Sequence, residues 1–196
     1  MTAGYAELHA ATNFSFLRGA SHPEELFAVA AVLGLPALGV TDRNSLAGIV
    51  RAWEAARATK LRLVVGCRLD LDDGAAVLAY PTDRPAYSRL CQLLTLGKKG
   101  ARKEGWSLGW DDLTHHGEGL LTVLLPGEVD DALAGRLARL RRDFGRRAYA
   151  ALTLHRRPGD VVRLRRIADL AAAAGVPTVA TGDVPTTRPA DASCRT

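Results

Sequence analysis

Short apolar runs alternate with stretches of helical periodicity from Tyr5 to Thr181, and that alternation restricts the chain to an α/β fold. Strand-like runs fall at Tyr5–Ala10, Ala37–Thr41, Leu61–Val65, Ala75–Ala79, Leu120–Leu125, Tyr149–Leu154 and Thr178–Thr181. Helix-like segments lie between them near Pro23–Leu33, Ser45–Thr59, Arg84–Leu96, Val129–Phe144 and Asp160–Ala174. A helical crossover returns the chain to the same end of the sheet, so a mainly parallel sheet or barrel is expected. Asp72-Asp73-Gly74 is the exception, a hairpin turn between two short apolar runs.

Local signals support these boundaries. Ser21-His22-Pro23-Glu24 has an N-cap serine, an early proline and a glutamate three residues on, which predicts a capping box. Gly34 and Gly175 follow periodic runs where a left-handed helix end is expected. Asp111-Asp112 and Asp130-Asp131 read as helix-initiating acids. The segment from Gly97 to Gly117 is an excursion, and its Trp106 and Trp110 are expected to pack it back onto the body. After Asp183 the periodicity ends. Residues 1–184 are therefore read as one domain, and residues 185–196 as a disordered, truncated or unrelated tail that leaves the α/β arrangement incomplete at its C-terminal end. Exposed sheet edges in such a fold predict marginal stability and a tendency to associate.

At 196 residues, with 47% apolar and 24% charged side chains, the chain is long and apolar enough to bury a sizeable core. No run approaches the roughly 20 apolar residues of a membrane span, and no basic region followed by an apolar stretch marks a secretory leader, so a cytoplasmic protein without membrane partners is expected. Cys67, Cys91 and Cys194 are scattered and odd in number, which argues for reduced thiols rather than disulfides or a zinc–thiolate site. Between Arg136 and Arg166 eleven arginines face two aspartates, a net +9 in a chain of +5, so the remainder carries −4. This window could contact nucleic acid through Arg139, Arg142 and Arg146. Without interleaved aromatic residues, a solvated helix exterior is the simpler account.

The chemistry, if any, should gather where strands end. His9 ends the first strand, Asp42 the second and Asp183 the last, while Cys67-Arg68 follows the third. One histidine and two carboxylates from distant sequence are a plausible ligand set for a divalent ion, since imidazole and carboxylate bind such ions and lower the pKa of bound water. His155 could line the same face, although a hydrogen-bonded strand-end histidine explains it as well. His22 belongs to a helix start, and His115-His116 to the surface of the excursion. Phe14, Phe16 and Leu17 read as packing residues rather than base-stacking platforms. Phosphate-cradling, nucleophile-elbow and RNA-binding motifs are missing.

Four segments carry a specific resemblance. Glu7-Leu8-His9, the run from Asn13 to Leu26, Thr41-Asp42-Arg43-Asn44-Ser45-Leu46-Ala47-Gly48 and Ala180-Thr181-Gly182-Asp183-Val184 resemble the PHP (polymerase and histidinol phosphatase) domain. With Leu152-Thr153-Leu154-His155-Arg156-Arg157-Pro158-Gly159-Asp160, the pattern is most similar to the PHP domain of the error-prone branch of bacterial C-family (DnaE-type) DNA polymerases. The resemblance covers residues 4–184 in order and implies a distorted (βα)7-like barrel.

The departures from the family pattern are as informative as the matches. The family's His-x-His reads His9-Ala10-Ala11, its Asp-His reads Asp42-Arg43, its Gly-x-Glu reads Gly66-Cys67-Arg68, and its Asp-x-His reads Asp183-Val184-Pro185. Four expected ligand positions thus hold Ala11, Arg43, Arg68 and Pro185. A guanidinium stays charged and repels a divalent cation by roughly 8 kcal/mol at ~4 Å and an effective dielectric of ~20. Arg43 and Arg68 are therefore expected to replace the metal by pairing with Asp42 or Asp183, leaving His9, Asp42 and Asp183 as residual ligands without Zn2+ or Mn2+. The resemblance further implies a parent enzyme, a DNA-directed DNA polymerase active in damage-induced translesion synthesis. Its Mg2+ would be held by palm aspartates outside this chain. The remaining polymerase chain, DNA and damage-response accessory proteins are the implied partners. On this reading the fragment has a structural role, no cofactor and no activity of its own. The alternative is a metal-dependent phosphoesterase or 3′–5′ exonuclease.

Overall fold

The computed structural model describes residues 4–99, 105–127 and 129–187. In chain order the elements are β1 (Glu7–Ala10), α1 (Pro23–Val32), β2 (Ala37–Arg43), α2 (Ile49–Thr59), β3 (Arg62–Asp70), β4 (Ala76–Pro81), α3 (Arg84–Lys99), α4 (Trp110–His115), β5 (Leu120–Leu125), α5 (Asp131–Phe144), β6 (Ala148–Thr153), α6 (Asp160–Ala173) and β7 (Thr178–Thr181), with a short 3-10 turn at Gly145–Arg147. The strands are hydrogen-bonded in sequence order from β1 to β7. The β1–β2, β2–β3, β5–β6 and β6–β7 pairs are parallel, as βα units require, and the α/β class is the expected one.

The β4–β5 pair is antiparallel, which helical connection alone did not predict. Pro81 lies opposite Leu120, and Thr82 N–H donates to the Gly119 carbonyl, so the end of β4 adjoins the start of β5. The α3–α4 excursion between them leaves and returns at one place instead of crossing the sheet. Its tryptophans anchor it as expected: Trp106 Nε1 donates to the Asp70 carbonyl (2.6 Å) and Trp110 Nε1 to Asp73 (2.9 Å). The hairpin at 71–75 also forms, closed by Leu71 N–H on the Ala75 carbonyl.

The chain divides into two compact units. The first comprises residues up to Arg68 together with those from Gly182 onward. Its core joins Leu26, Phe27 and Ala30 of α1, Leu38 and Val40 of β2, and Ala52, Ala55 and Ala56 of α2. Alanines on the buried face of α2 let the two helices approach closely. Helix α1 starts one residue later than the Ser21 cap predicted. His22 is the N-cap and its N–H donates to Glu25, while Ser21 is drawn away to Thr187, whose N–H it accepts at 2.9 Å. Residues 182–187 run beside β1: Ala11 N–H donates to the Val184 carbonyl, Val184 N–H to that of His9, and Ala20 N–H to that of Pro185. Of the expected tail, Pro185 accepts from the Ala20 amide, and Thr186 and Thr187 hydrogen-bond the Ser21 hydroxyl; residues 188–196 lie outside the described set.

The second unit runs from Leu69 to Thr181. Leu133, Leu137, Leu140 and Phe144 form one buried stripe on α5, whose N-cap Asp130 accepts from Leu133 N–H. Gly34 (first unit) and Gly175 (second) occupy left-handed positions past the ends of α1 and α6. Asp160, the first residue of α6, closes the preceding loop by accepting from the amides of His155 (2.8 Å) and Arg157 (3.1 Å) and from Arg163 Nε (3.3 Å). The Arg157 amide first, then Arg163 and the His155 amide, hold its carboxyl below the usual carboxylate range against the opposing effect of burial. A group whose pKa falls on folding stabilises above its unfolded value, near ~3.9, and loses that contribution as pH drops through the folded value. Asp160→Asn should therefore lower the melting temperature at pH 7, and in thermal scans the gap from wild type should be smaller at pH 3 than at pH 7. A gap of equal size at both pH values would refute the assignment.

Candidate functional site

The polar cluster predicted from strand ends forms within the first unit, but its donors are largely other residues. Strands β2 and β3 continue to Arg43 and Asp70, so Asp42, Cys67 and Arg68 sit on strands rather than just beyond them. Register places Asp42 opposite Cys67 and Arg43 opposite Arg68. Asp42 is 1% exposed. Its Oδ1 accepts from Thr12 N (2.7 Å) and Ser15 Oγ (2.8 Å), and Thr12 Oγ1 reaches both carboxylate oxygens at 3.0 and 2.8 Å. Ser15 Oγ in turn accepts from Arg43 N (2.9 Å). Gly48 packs so closely that a Cβ there would lie 2.6 Å from Asp42 Oδ2 and 2.8 Å from Thr12 Oγ1. The space around this carboxylate is filled by the β1–α1 loop.

Asp183 stands in a left-handed backbone conformation (φ 50°) and pairs through Oδ1 with Arg18, while His9 Nε2 lies 3.5 Å from the same oxygen. His9 is 2% exposed, and the Arg18 and Asp183 side chains are 26% and 16% exposed. Burial would raise the Asp183 carboxyl. The charges of His9 and Arg18, the Arg18 hydrogen bond and the charge of Arg68 outweigh it and hold the group below the ordinary range. A further buried carboxylate, Glu7, ties the strand end to the returning chain, accepting from His9 N (2.7 Å), Gly182 N (3.1 Å) and the Tyr5 hydroxyl (2.7 Å).

Three predicted residues therefore meet in one unit, with His9 beside Asp183 and Asp42 held separately by the loop. Arg18 bonds Asp183, Arg68 acts on it through charge, and Arg43 contributes its backbone amide to Ser15. Thr12, Ser15, Arg18 and Glu7 were not singled out by sequence reasoning, although Ser15, Arg18 and Glu7 lie in segments that carried the resemblance and Thr12 directly precedes one. Among the described residues no group of three or more His, Cys, Asp and Glu side chains is arranged to hold a metal ion. A divalent ion does not fit here, because Arg18 already occupies Asp183 and hydroxyl and amide donors occupy Asp42.

The remaining candidates belong to the second unit. His155 contributes its backbone amide to Asp160, and the His115 and His116 rings meet edge-on at 5.1 Å. Of the arginines proposed to touch nucleic acid, Arg139 pairs with Asp111 and Asp143, and Arg142 with Asp143. Arg146 is exposed without a side-chain partner among the described residues.

A PHP-domain profile matches residues 7–155, and the chain belongs to the PHP-domain family. Within that class it is most informatively compared with error-prone DNA polymerases. It is 59% identical over 180 residues to error-prone DNA polymerase 1 of Agrobacterium fabrum, covering 92% of this chain and 16% of that protein. Over 182 residues it is 50% identical to the error-prone DNA polymerase of Caulobacter vibrioides, covering 92% and 17%. The chain thus spans about one sixth of the length of the relatives it matches. A solved structure of an amidohydrolase from Chromobacterium violaceum superposes with a TM-score of 0.72 at 14% identity, covering 93% of this chain and 88% of that one, which establishes likeness of fold.

Proposed function

We propose that this chain is the non-catalytic PHP domain of an error-prone DNA polymerase, in which the family's metal centre has become a structural tether. The carrying observation is the occupancy of the two residual carboxylates: Asp42 by Thr12 and Ser15, Asp183 by Arg18. Each contact binds the β1–α1 loop to a strand end, so the groups that would hold an ion in a metal-binding relative hold protein here. High identity to error-prone polymerases over 92% of the chain supports the parent assignment. On this reading the parent performs template-directed nucleotidyl transfer to DNA in the cytoplasm, with Mg2+ on aspartates of another domain, alongside accessory damage-response proteins. No helix among the described residues is long and apolar enough to cross a membrane.

Calorimetric titration of the chain with Zn2+ or Mn2+ is expected to give no saturable binding in the low-micromolar range. Arg18→Ala should cost about 1–2 kcal/mol in urea unfolding, the range for breaking a partly buried, hydrogen-bonded ion pair. One-to-one metal binding at low micromolar concentration that disappears in Asp183→Asn would overturn the tether and favour the phosphoesterase or exonuclease alternative.

A further inference from the structure

The segment Leu154–Arg165, which carried the error-prone signature, presents an unusual surface. Leu154, Val161 and Val162 are 53%, 76% and 65% exposed. Arg156, Arg157 and Arg165 are exposed among them, and their guanidinium groups have no partner among the described residues. The one acid of the segment, Asp160, is buried and consumed by His155, Arg157 and Arg163. Arg156 holds a left-handed conformation (φ 58°), a costly position for a side chain of its size. Beside it a recess of about 480 Å3 is lined by Pro126, His155, Arg157 and Pro158.

None of this serves α6 itself. Exposed β-branched residues in a first helical turn lower helix propensity and gain no burial, and arginine near a helix N-terminus opposes the helix dipole. Unpaired arginines call for carboxylates or phosphates. The aliphatic side chains decide between them, because they gain only if an apolar partner removes their water, and they offer no ring on which a base could stack.

We propose that the Leu154–Arg165 surface docks an acidic segment bearing aliphatic side chains, supplied by the polymerase body of the parent chain. The proposal rests on the polymerase reading above. Charge complementarity selects the chemistry, and the five sixths of each matched relative that this chain does not span supplies the source.

The test is a chimaera of Agrobacterium fabrum error-prone DNA polymerase 1 in which this chain replaces the matched region, with a photo-crosslinking amino acid at position 162. Crosslinks are expected on a body segment with aspartate or glutamate within a few residues. Arg156→Glu with Arg157→Glu should lower the yield at least fivefold, while Arg156→Lys with Arg157→Lys retains it. Crosslinks confined to the domain itself, a second copy or an added 30-nucleotide DNA would overturn the proposal, as would an undiminished yield in the charge-reversed pair. Nucleotide incorporation by the chimaera reports separately on the polymerase reading; incorporation without the crosslink sinks only the docking surface. Should the chimaera fail to fold, anisotropy of a labelled peptide alternating glutamate and leucine, added to the 196-residue chain, decides instead. It should bind at least tenfold tighter than a glutamate-only peptide and a DNA oligonucleotide, and equal or absent binding refutes the surface.

Discussion

Asp42→Ala is expected to destabilise the protein by about 4 kcal/mol, while Asp42→Asn costs only about 1 kcal/mol. Alanine leaves Thr12 N–H and the hydroxyls of Thr12 and Ser15 facing a buried void without an acceptor. Asparagine can keep its amide oxygen at the Oδ1 position, where Thr12 N and Ser15 Oγ donate. Its amide nitrogen then faces Thr12 Oγ1, which can turn to donate toward Oδ1 at 3.0 Å. Urea unfolding with and without EDTA measures both variants. The tether predicts the same two values under both conditions. If asparagine proved as damaging as alanine, or if EDTA alone erased the differences, a carboxylate–metal interaction would be the better account.

Gly19→Ala should be comparably severe, about 3–5 kcal/mol, though Gly19 touches neither carboxylate. A Cβ at this position would lie 1.9 Å from the Thr12 carbonyl oxygen and 2.5 Å from its carbon. Both obstacles are backbone, so no rotamer change relieves them. The loop must open, and with it go the Gly19 N–H bond to the Ser15 carbonyl and the placement of Thr12 and Ser15 on Asp42. Amide hydrogen exchange locates the effect: protection should fall from Ala11 to Gly19 in this variant before it falls in α5. Unchanged protection in the loop would show that the close approach carries no weight.

Phe16 and Leu17, read from sequence as packing residues, are each 82% exposed. Their loop is fixed from below by Asp42 and at its end by Arg18 on Asp183, and Leu17 takes a left-handed conformation (φ 59°). Apolar character indicated burial, but the tethers direct these side chains outward. The arginine window also resists reading from composition. Arg136, Arg139 and Arg142 find aspartates, and Arg147 finds the carbonyls of Gly117 and Leu120. Among the described residues, the arginines of this window whose guanidinium groups have no partner are Arg146, Arg156, Arg157, Arg165 and Arg166. Which arginines are consumed depends on partners up to 63 residues away, as with Arg136 and Asp73.

By itself the sequence determined the seven strands, the parallel βα character of most connections, and the left-handed ends at Gly34 and Gly175. These follow from local periodicity and from backbone conformations open mainly to glycine. Only the tertiary structure decided that β4 and β5 run antiparallel, that Thr12 and Ser15 donate to Asp42, and that Arg18 hydrogen-bonds Asp183. Those outcomes depend on which donor reaches a buried carboxylate across 27 to 165 residues of chain, a distance in space that no local pattern encodes.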